Sequence, residues 1–304
     1  MPKTPLRLSL LAASAMLASQ LVACGGGGSS NGTGQLKFSV ADAPVDGATA
    51  VVVKFSGVEV KPKNGSALQF DFAAPRTVDL LATASGTPFI LLDGVTLDAG
   101  EYESVRLKVI SDRATTDSYI DLEDGSRAPL FVPSGSQSGL KLNTNFIVPE
   151  GGIRAVIVDF DLRHSIVKPT GQEAYTLKPV LRLVDASQIG LIRGTVAASQ
   201  ITAAGCTGDV NTGAGNAVYI YSGSVTTPDD VGGSGAQPLV SSMVKFDAAT
   251  SSYRYTVAYL PAGSYTAAFT CQARGDDPEA NDAITFSTPA AVTIAAGATT
   301  TANF

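Results

Sequence analysis

The sequence predicts an all-β protein built from two β-sandwich domains in tandem, of the Ig-like or prealbumin-like kind. Many short segments alternate apolar and polar residues, which places the apolar side chains on one face of a strand. Turn signals separate these segments at short intervals, as in sandwiches rather than βαβ units. Only 16% of the 304 residues are charged, and 31 are glycine. This length suggests about two domains.

Residues 1–23 have the layout of a secretory signal peptide. Lys3 and Arg7 form a basic start, and residues 8–23 carry no charge. A transmembrane helix needs about 20 apolar residues, but Gln20 and the polyglycine after Cys24 end this run early. The segment therefore predicts a cleaved signal rather than a membrane span.

The end of this run, Leu21-Val22-Ala23-Cys24, resembles the lipobox of bacterial lipoproteins. The resemblance implies cleavage before Cys24 and lipidation of its thiol; the alternative is ordinary secretory cleavage near Ala23. The resemblance also implies a sorting rule in which an Asp after the cysteine favours the inner membrane; Gly25 stands there instead, so we expect the outer membrane of a Gram-negative bacterium. Residues 24–34 would then be the lipidated cysteine and a Gly/Ser tether that spans about 17 Å.

The first domain is predicted over residues 35–186. Asn64-Gly65 and Asp124-Gly125 predict hairpin turns, because both positions favour residues that accept positive φ. Gly57 interrupts an alternating segment and predicts a bulge, and residues 77–86 could hold a helical turn. The predicted strands are 35–41, 50–61, 68–72, 101–110, 119–122, 129–132, 140–148, 153–163 and 175–184.

Four motifs of this domain are distinctive: FSVADAPVD at 38–46, DAGEY at 98–102, DFDLR at 159–163 and LKPVLRL at 177–183. Together they resemble a bacterial lipoprotein family whose N-terminal module is a domain of unknown function (4382-like), here over residues 35–185. The resemblance implies a surface lipoprotein with a β-sandwich. It implies no established activity and supplies no catalytic residues.

The second, smaller domain is predicted over residues 187–304, with strands at 191–197, 218–221, 243–246, 253–260, 264–272, 283–287 and 299–304. The turn LPAGSY at 260–265 echoes DAGEY of the first domain. With Gly194-Thr195-Val196 and the closing segment 296–304, it is similar to transthyretin-like or carboxypeptidase-regulatory-like modules. Residues 223–240 form a long polar loop, a kind that is often functional or disordered.

Three cysteines occur in the chain. If Cys24 carries lipid, Cys206 and Cys271 remain as an even pair, which predicts a disulfide in an oxidising compartment; two buried free thiols are the alternative. The net charge of −6 and the lack of a basic cluster exclude a nucleic-acid partner.

Two carboxylates, Asp159 and Asp161, are predicted on the face of one strand opposite its apolar residues. At about 6.6–7 Å apart they could share a cation or act as an acid/base pair. The alternative is a solvated charged face that Arg163 neutralises. His164 is the only histidine; any Ser-His-Asp arrangement must use it, and otherwise it is a surface or loop-end residue.

An acidic loop follows Cys271, with carboxylates at Asp276, Asp277, Glu279 and Asp282. Such hard oxygen ligands could bind Ca²⁺, although their spacing does not fit the EF-hand. A solvated acidic loop is the alternative.

A tyrosine stripe is predicted on the second domain. Tyr253, Tyr255 and Tyr259 share one face of a strand by alternation, and Tyr219 and Tyr221 could extend it. The stripe could stack on sugar rings or form the sandwich core.

These observations predict a lipid-anchored cell-envelope protein with a binding or structural role and no catalytic activity. We expect the membrane as partner through the anchor, with an envelope protein or a polysaccharide as ligand. A polysaccharide- or peptide-binding surface module that uses the 223–240 loop is one alternative. A hydrolase that uses Asp159, Asp161 or His164 is another. No cofactor is expected apart from Ca²⁺ at the acidic loop.

Overall fold

The computed structural model of the chain describes residues 32–43, 47–133 and 139–304, except the side chains of Ala43 and His164. The predicted signal peptide, Cys24 and tether residues 25–31 lie outside the described residues. Thr33 and Gly34, which we expected in the tether, already belong to the first strand.

Twelve strands are described within residues 33–185, and several of them alternate in burial, as the sequence pattern predicts. They are β1 (Thr33–Ala43), β2 (Ala48–Pro62), β3 (Leu68–Asp79), β4 (Phe89–Asp98), β5 (Gly100–Ile110), β6 (Tyr119–Leu122), β7 (Arg127–Phe131), β8 (Leu140–Val148), β9 (Ile153–Asp161), β10 (Ile166–Val167), β11 (Tyr175–Leu177) and β12 (Leu181–Asp185).

These strands form two sheets, which we call the first pair of sheets. One has the order β12-β9-β1-β4, and the other β10-β11-β7-β6-β2-β5-β8 with β3 beside β2. Apolar side chains of both sheets, such as Phe38, Phe55 and Phe160, are fully buried between them. Removal of this apolar surface from water is the main force that holds the sheets together.

The predicted turns and bulge of this region are confirmed. Gly65 and Gly125 have φ values of 107° and 82°, and each connects two antiparallel strands. The pairing register of β2 shifts at Gly57 against both β3 and β5. A side chain at Gly57 would begin only 2.7 Å from the carbonyl oxygen of Phe70, so glycine fits this bulge.

The strands after residue 188 form a second pair of sheets, with the orders β16-β17-β13-β20 and β15-β14-β18-β19. They are β13 (Ile189–Val196), β14 (Ala217–Ser222), β15 (Val240–Met243), β16 (Lys245–Asp247), β17 (Ser252–Pro261), β18 (Gly263–Thr270), β19 (Ala290–Ile294) and β20 (Thr299–Thr301). The all-β prediction is therefore confirmed.

Helices are short throughout the described part of the chain. Two α-helical turns span Leu162–Ser165 and Ala198–Ile201, and two 3₁₀ turns span Leu81–Ser85 and Ala273–Gly275. The helical turn expected within residues 77–86 is present. No helix among the described residues is long and apolar enough to cross a membrane.

Two strand predictions in the second pair of sheets are wrong. The predicted strand 243–246 spans the end of β15 and the start of β16, which lie in different sheets. Residues 283–287 form no strand; Ile284 and Phe286 instead pack against the outer face of β14. Strand β19, which follows, was missed. Alternation alone cannot distinguish a paired strand from an extended covering segment, since both bury every second side chain.

The two turns of similar sequence, DAGEY at 98–102 and LPAGSY at 260–265, also share one kind of hydrogen bond. The hydroxyl of Tyr102 donates to the carbonyl of Asp98 at 2.9 Å, and that of Tyr265 donates to the carbonyl of Pro261 at 2.7 Å. Each tyrosine thus hydrogen-bonds to the backbone four residues upstream, as in the tyrosine corners of β-sandwiches.

The predicted disulfide is confirmed. Cys206 and Cys271 are bonded across a sequence separation of 65 residues, with their Cα atoms 5.0 Å apart. The bond joins the segment before β14 to the end of β18, directly before the acidic loop.

Candidate functional site

The charged face of β9 is buried, and the expectation of a solvated face is wrong. Asp159 is 2% exposed, Asp161 8% and Arg163 6%. The second pair of sheets covers this face, where Ile157 packs in one apolar cluster with Tyr259. Strand β9 is therefore buried on both faces, which its alternating pattern did not indicate.

Asp159 pairs with Arg182, its cross-strand neighbour on β12. The guanidinium donates to Asp159 Oδ2 through Nε at 3.1 Å and also through Nη2. Burial raises the pKa of Asp159 to about 6, while Arg182 opposes the rise and Asp161 adds to it. This carboxylate is enclosed between strands and has its own counter-charge.

The expected hydrolase residues do not form an open cleft. Asp159 and Asp161 are nearly inaccessible to solvent, so a substrate larger than water could not reach them without separation of the sheets. The side chain of His164 lies outside the described residues, and its relation to either carboxylate stays a prediction.

Arg163 extends from the first pair of sheets into the second. Its guanidinium donates to Ser241 Oγ at 3.2 Å and to the carbonyl oxygen of Ala273 at 2.7 Å. It lies 3.3 Å from Asp276 Oδ2 and 5.0 Å from the centre of the Tyr219 ring. These contacts join the two pairs of sheets through buried charge.

The tyrosine stripe does not exist as one exposed face. Tyr255 is buried in the core of the second pair of sheets, and its hydroxyl donates to the carbonyl of Ala302 at 2.7 Å. Tyr219 and Tyr221 are fully buried. Tyr253 is partly exposed, and its hydroxyl donates to the carbonyl of Val210. A sugar platform on this stripe is therefore excluded.

Tyr259 leaves the stripe because the backbone bulges. Its φ of 58° is left-handed, a conformation that bulky residues rarely adopt, and the register between β13 and β17 shifts beside it. The bulge directs Tyr259 towards the first pair of sheets, where its hydroxyl donates to the carbonyl of Thr83 at 2.6 Å.

The long loop 223–240 packs on its own domain. Val225, Val231 and Ala236 contact the buried tyrosines of β14, and the hydroxyl of Tyr221 donates to the carbonyl of Asp229 at 2.7 Å. The loop is an ordered cover over this sheet.

The same loop brings Asp230 to two members of the acidic loop. Carboxylate oxygens of Asp230, Asp276 and Asp282 all lie within 4.8 Å of one another; we call these three residues the aspartate cluster. Sequence reasoning missed Asp230, because no local spacing links it to residues on another loop. The other two expected ligands, Asp277 and Glu279, are exposed and lie outside the cluster.

Hydrogen bonds orient all three members of the aspartate cluster, and Asp282 Oδ2 accepts the N–H of Asp277 at 2.6 Å. Asp276 Oδ1 accepts the N–H of Val231 at 3.2 Å, and its Oδ2 accepts the hydroxyl of Tyr219. Asp230 Oδ2 accepts the N–H of Asp282 at 2.6 Å. Asp230 Oδ1 is buried and has no hydrogen-bond partner within the described residues. Burial raises the pKa of both Asp230 and Asp276.

A groove of about 910 Å³ is lined by residues of both pairs of sheets. Asp79 and Glu123 come from the first pair, and Asp209, Phe246 and Arg274 from the second. Among the described residues, its lining contains no Ser, Cys or His, and Phe246 is its aromatic residue. The groove is thus mixed in charge.

Residues 33–179 match the family model described as "Domain of unknown function (DUF4382)". This part of the chain is therefore a DUF4382 domain, which confirms the domain part of the resemblance over nearly the same residues; the lipoprotein character and the transthyretin-like module stay predictions. No curated protein matches the chain significantly.

Three solved structures resemble the chain only distantly. The Bacillus anthracis TIE protein is 14% identical, with 90% of this chain and 34% of that protein covered and a TM-score of 0.20. A Bacteroides eggerthii protein provisionally assigned to cell adhesion is 12% identical (90% and 87% covered, TM-score 0.20). A Bacteroides ovatus fimbrial protein is 9% identical, with 90% of this chain and 48% of that protein covered and a TM-score of 0.20. The chain spans about a third of the TIE protein. At these scores, we draw neither fold nor function from the likenesses.

Proposed function

We propose that the chain is a lipid-anchored cell-envelope protein with a binding or structural role and no catalytic activity. The observation that carries this proposal is the burial of Asp159, Asp161 and Arg163 between the two pairs of sheets. Arg163 contacts the second pair of sheets, and Asp159 is paired with Arg182 within its own sheet, so both charged groups are used in the fold. Paired charges at such a contact favour one arrangement of the two parts.

The envelope location rests on the lipobox at Leu21–Cys24 and is supported by the disulfide, which is typical of oxidising compartments. Metabolic labelling with a fatty-acid probe tests it. We expect the wild-type chain and a Cys206→Ser control to be labelled, and a Cys24→Ala variant to be unlabelled. Equal labelling of the Cys24→Ala variant would overturn the anchor.

A screen for esterase and glycosidase activity tests the absence of catalysis. We expect no turnover by the full chain. Activity that Asp159→Asn abolishes, while circular dichroism shows an intact fold, would establish the hydrolase alternative.

The groove favours a second candidate, a polysaccharide- or peptide-binding module. Phe246 is 38% exposed in its lining, and its ring centre lies 5.1 Å from that of Tyr253. Exposed aromatic rings beside polar groups suit sugar or peptide contact. On a glycan or peptide array, Phe246→Ala should weaken binding, and Ile147→Ala, an exposed residue elsewhere, should not. Binding unaffected by Phe246→Ala would exclude the groove.

A further inference from the structure

We propose that Asp230, Asp276 and Asp282 bind a single Ca²⁺ ion between loop 223–240 and the acidic loop. The three residues come from separate chain segments, and their carboxylate oxygens lie within 4.8 Å of one another. Ligands around one calcium ion lie at most about 5 Å apart, since each Ca–O distance is about 2.3–2.6 Å. The spacing therefore fits a shared ion.

The burial of Asp230 and the missing partner of one of its oxygens are independent evidence for a bound ion. The residue is 0% exposed, and its Oδ1 has no hydrogen-bond partner among the described residues. A buried carboxylate oxygen without a partner is costly, and an ion at the cluster would satisfy it. Its other oxygen accepts the N–H of Asp282, which ties the Asp230 carboxylate to the acidic loop.

The charges of the cluster also favour a bound cation. Three carboxylates converge, and Arg163 supplies one positive charge through Asp276. Within the described residues, neither Asp230 nor Asp282 makes a salt bridge. Asp229 adds a fourth carboxylate beside Asp230, so a divalent ion together with the Arg163 guanidinium would offset most of the local negative charge.

The type of ligand atom in the cluster favours calcium over other metal ions. All three side chains offer carboxylate oxygens, and no His or Cys belongs to the cluster, which favours Ca²⁺ over Zn²⁺ or Cu²⁺. Calcium takes six to eight oxygen ligands, so backbone carbonyls of the two loops and water would complete the shell.

Such an ion would fasten the covering loop to its sheet. Asp230 precedes Val231, which packs on the buried tyrosines of β14, and Asp276 reaches Arg163 of the first pair of sheets. Calcium would thus strengthen both the cover and the contact between the sheets.

The test is calorimetric titration of CaCl₂ into the full chain, purified in detergent and freed of metal by a chelator. We expect about one ion per chain with a Kd of about 0.1–1 mM, as in extracellular modules, and a higher melting temperature in calcium. Asp230→Asn keeps an oxygen for the N–H of Asp282 and should weaken binding at least about tenfold. Asp282→Asn provides a second variant if Asp230→Asn does not fold.

Glu279→Gln is the matched control, since it removes one negative charge from the same loop but lies outside the cluster. It should keep the wild-type affinity. Absence of calcium uptake at 10 mM, tighter binding of MgCl₂ than of CaCl₂, or equal losses in Glu279→Gln and the two Asn variants would each overturn the proposal.

Discussion

Two buried carboxylates, Asp159 and Asp230, lie in opposite electrostatic situations. Asp159 faces Arg182 across paired strands and accepts two hydrogen bonds from its guanidinium. Asp230 has three acidic neighbours, Asp229, Asp276 and Asp282, and one oxygen without a partner among the described residues. The chain compensates the first charge with its own cation, on the neighbouring strand of the same sheet. We propose that a Ca²⁺ ion compensates the charge of Asp230, where two loops meet.

The difference follows from where each residue lies in the fold. Neighbouring strands in a sheet fix cross-strand pairs, so an Arg at one register position reliably meets an Asp at the other. Loops have no such register, and their side chains converge only after the chain has folded. An ion can bridge several loop carboxylates where one long side chain cannot.

Removal of Arg182 should give the largest loss, because it leaves Asp159 buried without a counter-charge. We expect Arg182→Met to lower the free energy of unfolding by about 3 kcal/mol, measured by urea denaturation at pH 7. The control is Lys63→Met, whose partner Glu101 is exposed; its effect should be much smaller. Equal losses would mean that the Asp159 pair has no special role.

Loss of the disulfide should destabilise the region around the aspartate cluster and leave the Asp159–Arg182 pair intact. Cys206→Ser with Cys271→Ser should cost about 2–4 kcal/mol of stability, since the bond closes a long loop just before Asp276. Urea denaturation with and without reductant measures it. If reductant leaves the wild-type protein as stable as before, the bond has no stabilising role.

The pH dependence of stability should identify Asp159 directly. Its pKa of about 6 in the folded state exceeds the value near 4 of the unfolded chain. The folded state therefore binds more protons between these values, and stability falls as pH rises from about 4 to about 6. The loss attributable to Asp159 is at most about 3 kcal/mol.

The difference between the wild type and Asp159→Asn isolates this effect from other groups. Asp161, Arg182 and Tyr259 face the carboxylate electrostatically, and all three are kept in the variant. The urea midpoints of the wild type and of Asp159→Asn, measured from pH 4 to 7, should lie closest together at pH 4 and differ more as the pH rises. Parallel profiles would show that Asp159 titrates normally.

The tyrosine that joins the two pairs of sheets should give the smallest effect. Tyr259→Phe removes a buried hydrogen bond to Thr83 and should cost about 1 kcal/mol. Tyr253→Phe also removes a hydroxyl that donates to a carbonyl, but at the surface, so its melting temperature should change less. The reverse ranking would indicate that the contact at Tyr259 is not stabilising.

Local patterns sufficed for much of this structure. The turns at Gly65 and Gly125, the bulge at Gly57 and the tyrosine turns at Tyr102 and Tyr265 each depend on residues that are neighbours in the chain or across one hairpin. The Cys206–Cys271 pairing followed from an even count once Cys24 was set aside. The prediction for residues 283–287 was wrong because a covering segment and a strand share the same alternation.

By itself, the sequence determined the all-β class, most strand positions, the turn chemistry and the disulfide, because these depend on local conformational preference and side-chain periodicity. Only the tertiary structure decided that the charged face of β9 is buried, that Tyr259 turns away from its stripe, and that Asp230 joins Asp276 and Asp282. These features arise where segments distant in sequence meet, and no local pattern encodes which distant segment will cover a given face.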